Sequence, residues 1–117
     1  MTLTTPNPSS LGHRQFGSYW FGLDAPRHLH LFPVRTLSEL ARRAGFKVLE
    51  ARSSAANADI FIGASISIET APNHRTLHLP PPSLSRTLRA IRWQYREHFA
   101  LKSRPDCGEE GVLICVK

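Results

Sequence analysis

The sequence predicts an α/β fold, and three features carry that prediction. Residues 36–45 read as a helix with legible ends that runs directly into an alternating strand. Residues 83–102 read as a long amphipathic helix, and the apolar run Val112, Leu113, Ile114, Cys115 and Val116 follows as a buried strand. At the other end, β-prone Thr4-Thr5 is cut short by Pro6-Asn7-Pro8-Ser9-Ser10, which is turn chemistry at the end of a strand.

The elements can be justified in order. Residues 9–18 form a short helix opened by Ser9 or Ser10 and closed by Gly17. Leu11, Phe16, Tyr19, Trp20 and Phe21 make this stretch aromatic. Gly22, Pro26 and Pro33 then predict a loop with at most one helical turn over 22–35. Thr36 is placed to cap the next helix, with Glu39 at the reciprocal capping-box position. Leu37, Leu40, Ala41 and Ala44 make its apolar stripe. Arg42 and Arg43 suit the negative end of the helix dipole, and Gly45 suits a left-handed stop. Phe46, Val48 and Ala51 alternate with Lys47 and Arg52 as a strand.

Residues 55–68 carry both helix and strand signals. Ala58, Phe61, Ile62 and Ser65 share one helical face, so a helix is expected. A four-proline loop spans 69–82. In the long helix after it, Leu84, Leu88, Ile91, Tyr95 and Phe99 share one face and are expected to be the buried one. Arg86, Arg89, Arg92 and Arg96 fall largely off that stripe.

The 117 residues suffice for one small domain with a modest core, and 41% of them are hydrophobic, which excludes a disordered chain. The net charge of +6 fits either an anionic partner or an ordinary solvated face rich in arginine. Cys107 and Cys115 form no CxxC pair, and no Cys/His cluster has zinc-site spacing, so no metal is expected. Neither a signal peptide nor a membrane-length apolar run is read, and a reduced, cytoplasmic chain is the simple expectation.

Thr5-Pro6-Asn7, Gly17-Ser18-Tyr19-Trp20, Leu23-Asp24-Ala25-Pro26-Arg27-His28-Leu29, Phe32, Thr36-Leu37 and Ala44-Gly45-Phe46 form a spaced series. Together with the acidic turn and Val/Ile-rich strand of 106–117, the series resembles the C-terminal half of class I S-adenosylmethionine-dependent methyltransferases of the ubiquinone/menaquinone-biosynthesis-like small-molecule group. The resemblance implies that the whole chain is one partial methyltransferase-like domain, the C-terminal portion of a Rossmann-like seven-stranded sheet. Residues 55–104 would be a variable, mostly helical insertion. Residues 4–7 would end strand five, 46–52 would be strand six, and 110–116 an antiparallel strand seven. The glycines at 12, 17, 22, 45, 63, 108 and 111 are scattered, with no GxGxG turn to cradle the donor. S-adenosylmethionine is therefore the cofactor of the intact family, and this chain alone is expected not to bind it usefully. A truncated or split enzyme is the direct expectation.

Candidate site residues follow from the same stretch. Tyr19 and Trp20, with Phe21, either pack a helical flap or wall the acceptor pocket. Asp24 and Arg27 either close a local ion pair or hold an acidic acceptor. His28 and His30 are candidate proton acceptors during methyl transfer, since histidine titrates near neutrality; as a metal pair they lack a third ligand. Asn7 either borders the donor site or caps a turn, capping being the simpler role. The function so implied is methyl transfer to a small-molecule acceptor, inactive in this chain alone. The alternative is a non-catalytic interaction protein reusing the same layer, docked to anionic lipid through the basic helix. Expected partners are an upstream half, a second copy or a membrane surface, and not nucleic acid.

Overall fold

The computed structural model describes residues 1–24, 27–70 and 83–117. In chain order the elements are β1 (Thr2–Pro6), α1 (Leu11–Phe16), two 3-10 turns (Gly17–Tyr19 and Phe21–Leu23), α2 (Val34–Arg43), β2 (Lys47–Ser54), α3 (Ala58–Thr70), α4 (Leu84–Ala100) and β3 (Glu110–Val116). The strands form one open sheet in the order β1-β3-β2. β3 is central and antiparallel to both neighbours, pairing Leu3 with Leu113 on one side and Ala51 with Leu113 on the other.

This architecture corrects the expected fold. A Rossmann-like methyltransferase sheet rests on several adjacent parallel strands. The described residues build an open three-stranded sheet in which every pairing is antiparallel. The chain is therefore not a truncated seven-stranded methyltransferase sheet. The antiparallel direction of 110–116 is as expected; the matching segments carry helix and strand signals common to many α/β chains, and those local signals do not set the number of neighbouring strands.

Local chemistry explains most boundaries. Ser10 caps α1 by accepting from the His13 amide at 3.0 Å, and Gly17 ends it at φ 52°. The stop of α2 is a Schellman turn: Phe46 N–H bonds the Ala41 carbonyl at 3.0 Å, Gly45 N–H bonds the Arg42 carbonyl at 3.0 Å, and Gly45 sits at φ 83°. The start of α2 differs from the expected capping box. The helix begins three residues earlier, at Val34, with Pro33 at the cap and no side-chain cap bond. Thr36 thus lies inside the first turn, and Glu39 instead pairs with Arg43 at 2.7 Å on the exposed surface. The proline loop read over 69–82 falls, beyond Thr70, outside the described residues.

Two apolar clusters hold the elements. Ala41, Leu113 and Cys115, with Leu37, Phe46 and Val48, pack α2 on one face of the sheet. Phe16, Trp20, Phe61, Ile62, Ile66 and Ala90 form the second, with Phe21, Leu23, Leu31 and Trp93 against it. α3 is its spine, buried on nearly all sides from Ala58 to Ser67.

α4 is turned opposite to the expectation from its periodicity. The side chains it buries are Ala90 and Glu97, with Arg86, Trp93 and Gln94 partly covered. Leu84, Leu88, Ile91, Tyr95 and Phe99 face solvent and are 38–78% exposed. Periodicity shows which residues share a side of a helix; it does not show which side faces the core.

Candidate functional site

The residues singled out in the sequence fall into two settings. Trp20 is buried among Phe61 and the aromatic turn, and its indole N–H donates to Glu109 Oε2 at 2.6 Å. Tyr19 beside it is exposed. Asn7 is fully buried, and its amide donates to the Asp106 carbonyl at 2.7 Å and the Gly108 carbonyl at 2.8 Å. Its Oδ1 accepts from the Ser9 amide at 3.1 Å, so both ends of the side chain tie the close of β1 to the turn before β3.

Asp24 and Arg27 form an ion pair at 3.4 Å across the loop. Asp24 adopts φ 21°, the positive-φ geometry that Asp tolerates better than most residues. His28 is half-buried, and its amide bonds the Asp24 carbonyl at 3.4 Å. His30 is exposed and stacks on Phe32 with ring centroids 6.2 Å apart. The structure thus joins Asp24, Arg27 and His28 in one loop turn, while the Trp20 indole N–H is directed to Glu109.

The most unusual interior feature was not visible in the sequence. Two glutamates, Glu97 from α4 and Glu109 just before β3, are fully buried. Glu109 is well held: besides Trp20, the Gly12 amide donates to its Oε1 at 2.7 Å. Burial raises its pKa above the ordinary carboxyl value, opposed by the bonds from Trp20, Gly12 and Ser10 and by nearby His13. His13 donates Nδ1–H to the Pro8 carbonyl at 2.7 Å and stacks on Trp20 with centroids 4.6 Å apart. A Cβ at Gly12 would strike the Glu109 carboxylate, so a side chain there would push it off the Gly12 amide.

Glu97 has no such support. Neither carboxyl oxygen has a hydrogen-bond partner, and the buried Trp93 Nε1 also lacks one. Burial first, and then the charge of Glu109, push the Glu97 carboxyl up to about 8. The nearby backbone N–H of Glu109 pulls the other way without making a hydrogen bond to either oxygen. Glu97 is therefore protonated at neutral pH. Cys107, also buried, is raised first by burial and, once Glu97 ionises, by that carboxylate and Asp106, so it is a thiol rather than a nucleophilic thiolate. Both carboxyls are sealed from solvent, so in this conformation they contact no substrate. Among the described residues, no group of three or more His, Cys, Asp or Glu side chains is placed to hold a metal ion.

The accessible feature is the outer face of α4. Its apolar stripe is bordered on one flank by Arg89, Arg92 and Arg96, spaced i, i+3, i+7 and all exposed. Arg96 lies over the Trp93 ring at 4.9 Å, and Lys102 over Phe99 at 4.9 Å. On the opposite side, Arg86 reaches Ser67 Oγ at 2.7 Å. These contacts correct the expectation of a membrane-docking basic helix. Arg86 turns inward to Ser67, so the basic residues of 83–102 are divided between the two sides of the helix and form no single headgroup-binding face. No described helix is long and apolar enough to cross a membrane.

Comparison with protein-family models, with curated proteins and with solved structures gave no significant match. The expected identity, a methyltransferase fragment inactive on its own, is overturned by the three-stranded sheet, which is not a donor-binding Rossmann-like one.

Proposed function

We propose that the protein is a protein-docking module, and that the outer face of α4 receives an amphipathic helix of a partner protein. The observation that carries this reading is the orientation of α4, with its apolar stripe in solvent and Glu97 inside. Exposed apolar surface of this extent on one helix, rimmed by charge, is typical of an interaction site. Tyr95 and the neighbouring arginines are residue types that dominate binding energy at such sites.

The charge pattern selects the partner. Glu97 is the only acidic residue of α4, and it is buried. A second copy would thus bring no acid on α4 to answer the row of Arg89, Arg92 and Arg96. A helix whose apolar side is bordered by a row of Asp or Glu answers both the stripe and the arginines.

The test is a titration with a synthetic amphipathic peptide of about 20 residues, long enough to lie along α4. It carries leucines at i, i+3 and i+4 spacing, with glutamates along one flank. Saturable binding is expected, weakened about tenfold or more by Leu88→Asp and by Arg92→Glu. A matched peptide with lysines in place of the glutamates should bind far more weakly. Equal binding of the two peptides, or preference for anionic phospholipid vesicles over the acidic peptide, would overturn the proposal.

A further inference from the structure

The two edges of the sheet are unequally protected. The β2 edge carries Lys47, Glu50 and Arg52, with a register break between Val48 and Glu50. Charges and bulges are the usual devices that keep an edge from pairing with another chain. β1 has neither. Thr2, Leu3 and Thr4 are uncharged and exposed, and among the described residues β3 is its only strand neighbour.

The hydrogen-bond alternation shows what this edge offers. Met1 and Cys115 exchange both backbone bonds, at 2.7 and 2.9 Å, and the Asn7 amide bonds the Glu109 carbonyl at 2.8 Å. In an antiparallel ladder, bonded pairs alternate along the strand. Residues 1, 3, 5 and 7 therefore face β3, and the N–H and C=O of Thr2 and Thr4 face outward.

We infer that β1 is a self-association edge, on which a second copy of the chain adds its own β1 antiparallel about a two-fold axis through Leu3. In that register Thr2 lies opposite the partner's Thr4 and Leu3 opposite the partner's Leu3. The outward groups then form about four backbone hydrogen bonds, and the result is a continuous six-stranded sheet. The two Leu3 side chains meet on the α2 side of the sheet, because Leu3 shares that face with Leu113. A second copy fits this edge because the segment is self-complementary about Leu3 and brings no like charges together. The contact is small, so dimerisation is concentration-dependent. Each chain carries a net +6, so added salt strengthens the dimer, whereas it weakens docking of an acidic helix on α4.

Sedimentation velocity over a concentration series tests this directly. The wild-type protein should populate a dimer that grows with concentration and with salt. Thr4→Pro removes an outward N–H and leaves the β1–β3 ladder intact, since proline is tolerated at such edge positions. It should shift the protein to monomer with an unchanged far-UV circular dichroism spectrum. Leu3→Lys, which sets two like charges across the axis, should do the same, and Leu88→Asp should leave the dimer untouched. A monomer at every concentration, a dimer that survives both β1 variants, or a dimer lost in Leu88→Asp would overturn the inference.

Discussion

The indole N–H of Trp20 meets the buried carboxylate of Glu109 at 2.6 Å, and this bond joins the aromatic turn after α1 to the start of the central strand. It links the layer of α1, α3 and α4 to the sheet, because Trp20 packs on Phe61 of α3 while Glu109 leads into β3. Trp20→Phe keeps most of the ring but leaves Glu109 short of a donor inside the protein. A loss of about 1–3 kcal/mol is expected. Trp20→Ala also removes the packing and should cost about 3–5 kcal/mol. Urea unfolding followed by circular dichroism measures both. A Phe variant as stable as wild type would show that the bond is dispensable.

Two glycine-to-alanine substitutions inside helices should have opposite signs. Alanine normally stabilises a helix interior by roughly 0.5–1 kcal/mol over glycine. At Gly63 an added Cβ would have only the Ala90 methyl near it, at 3.9 Å, so the normal gain is expected. At Gly12 the Cβ would collide with the Glu109 carboxylate and displace a bond of 2.7 Å, so a loss of about 1–3 kcal/mol is expected. Thermal melting of the two variants side by side checks the contrast. Stabilisation by both would mean that Glu109 is not held against α1.

Stability should fall as pH rises across the range in which Glu97 gives up its proton. In the unfolded chain this carboxyl titrates near 4.5, and in the folded protein at about 8. Between those values the folded state holds a proton that the unfolded state has lost, so stability declines with rising pH and levels off above the folded value. The decline amounts to a few kcal/mol. Glu109 adds to it with the same sign, because its pKa is also raised. Glu97→Gln retains a neutral side chain of similar shape and should flatten most of the slope. Denaturant unfolding at a series of pH values would show this, and an unchanged slope in the variant would place the titration elsewhere.

Much of the local structure could be read from single residues. Ser10 and Gly17 bracket α1 as their chemistry suggests, Gly45 marks the stop of α2, and Ala58, Phe61, Ile62 and Ser65 mark the buried side of α3. The apolar run at 112–116 lies within the central strand. What could not be read depends on tertiary placement. Thr36 has the right side chain for a cap, but the chain enters its helix earlier, at Val34. Glu109 stands in an acidic turn that resembles surface sequence, yet donors from α1 and the aromatic turn enclose it. Strand count depends on which segments meet, and the helix–strand order between Thr36 and Phe46 is compatible with sheets other than a seven-stranded one. The candidate docking face was visible as a stripe in the sequence. Its outward orientation was not, because the buried side of α4 contains a charged residue type that periodicity assigns to solvent.

The orientation of α4 is the foundation of the functional account, and thiol labelling tests it most directly. Cys107 and Cys115 are both fully buried, so the background of reaction in the native protein is low. Leu88→Cys and Ala90→Cys place a thiol on opposite sides of the same helix, one exposed and one buried. The account predicts that Leu88→Cys reacts with an aqueous thiol reagent at close to the rate of a free peptide, whereas Ala90→Cys reacts only as the protein unfolds. Protection at position 88 with rapid labelling at position 90 would contradict it.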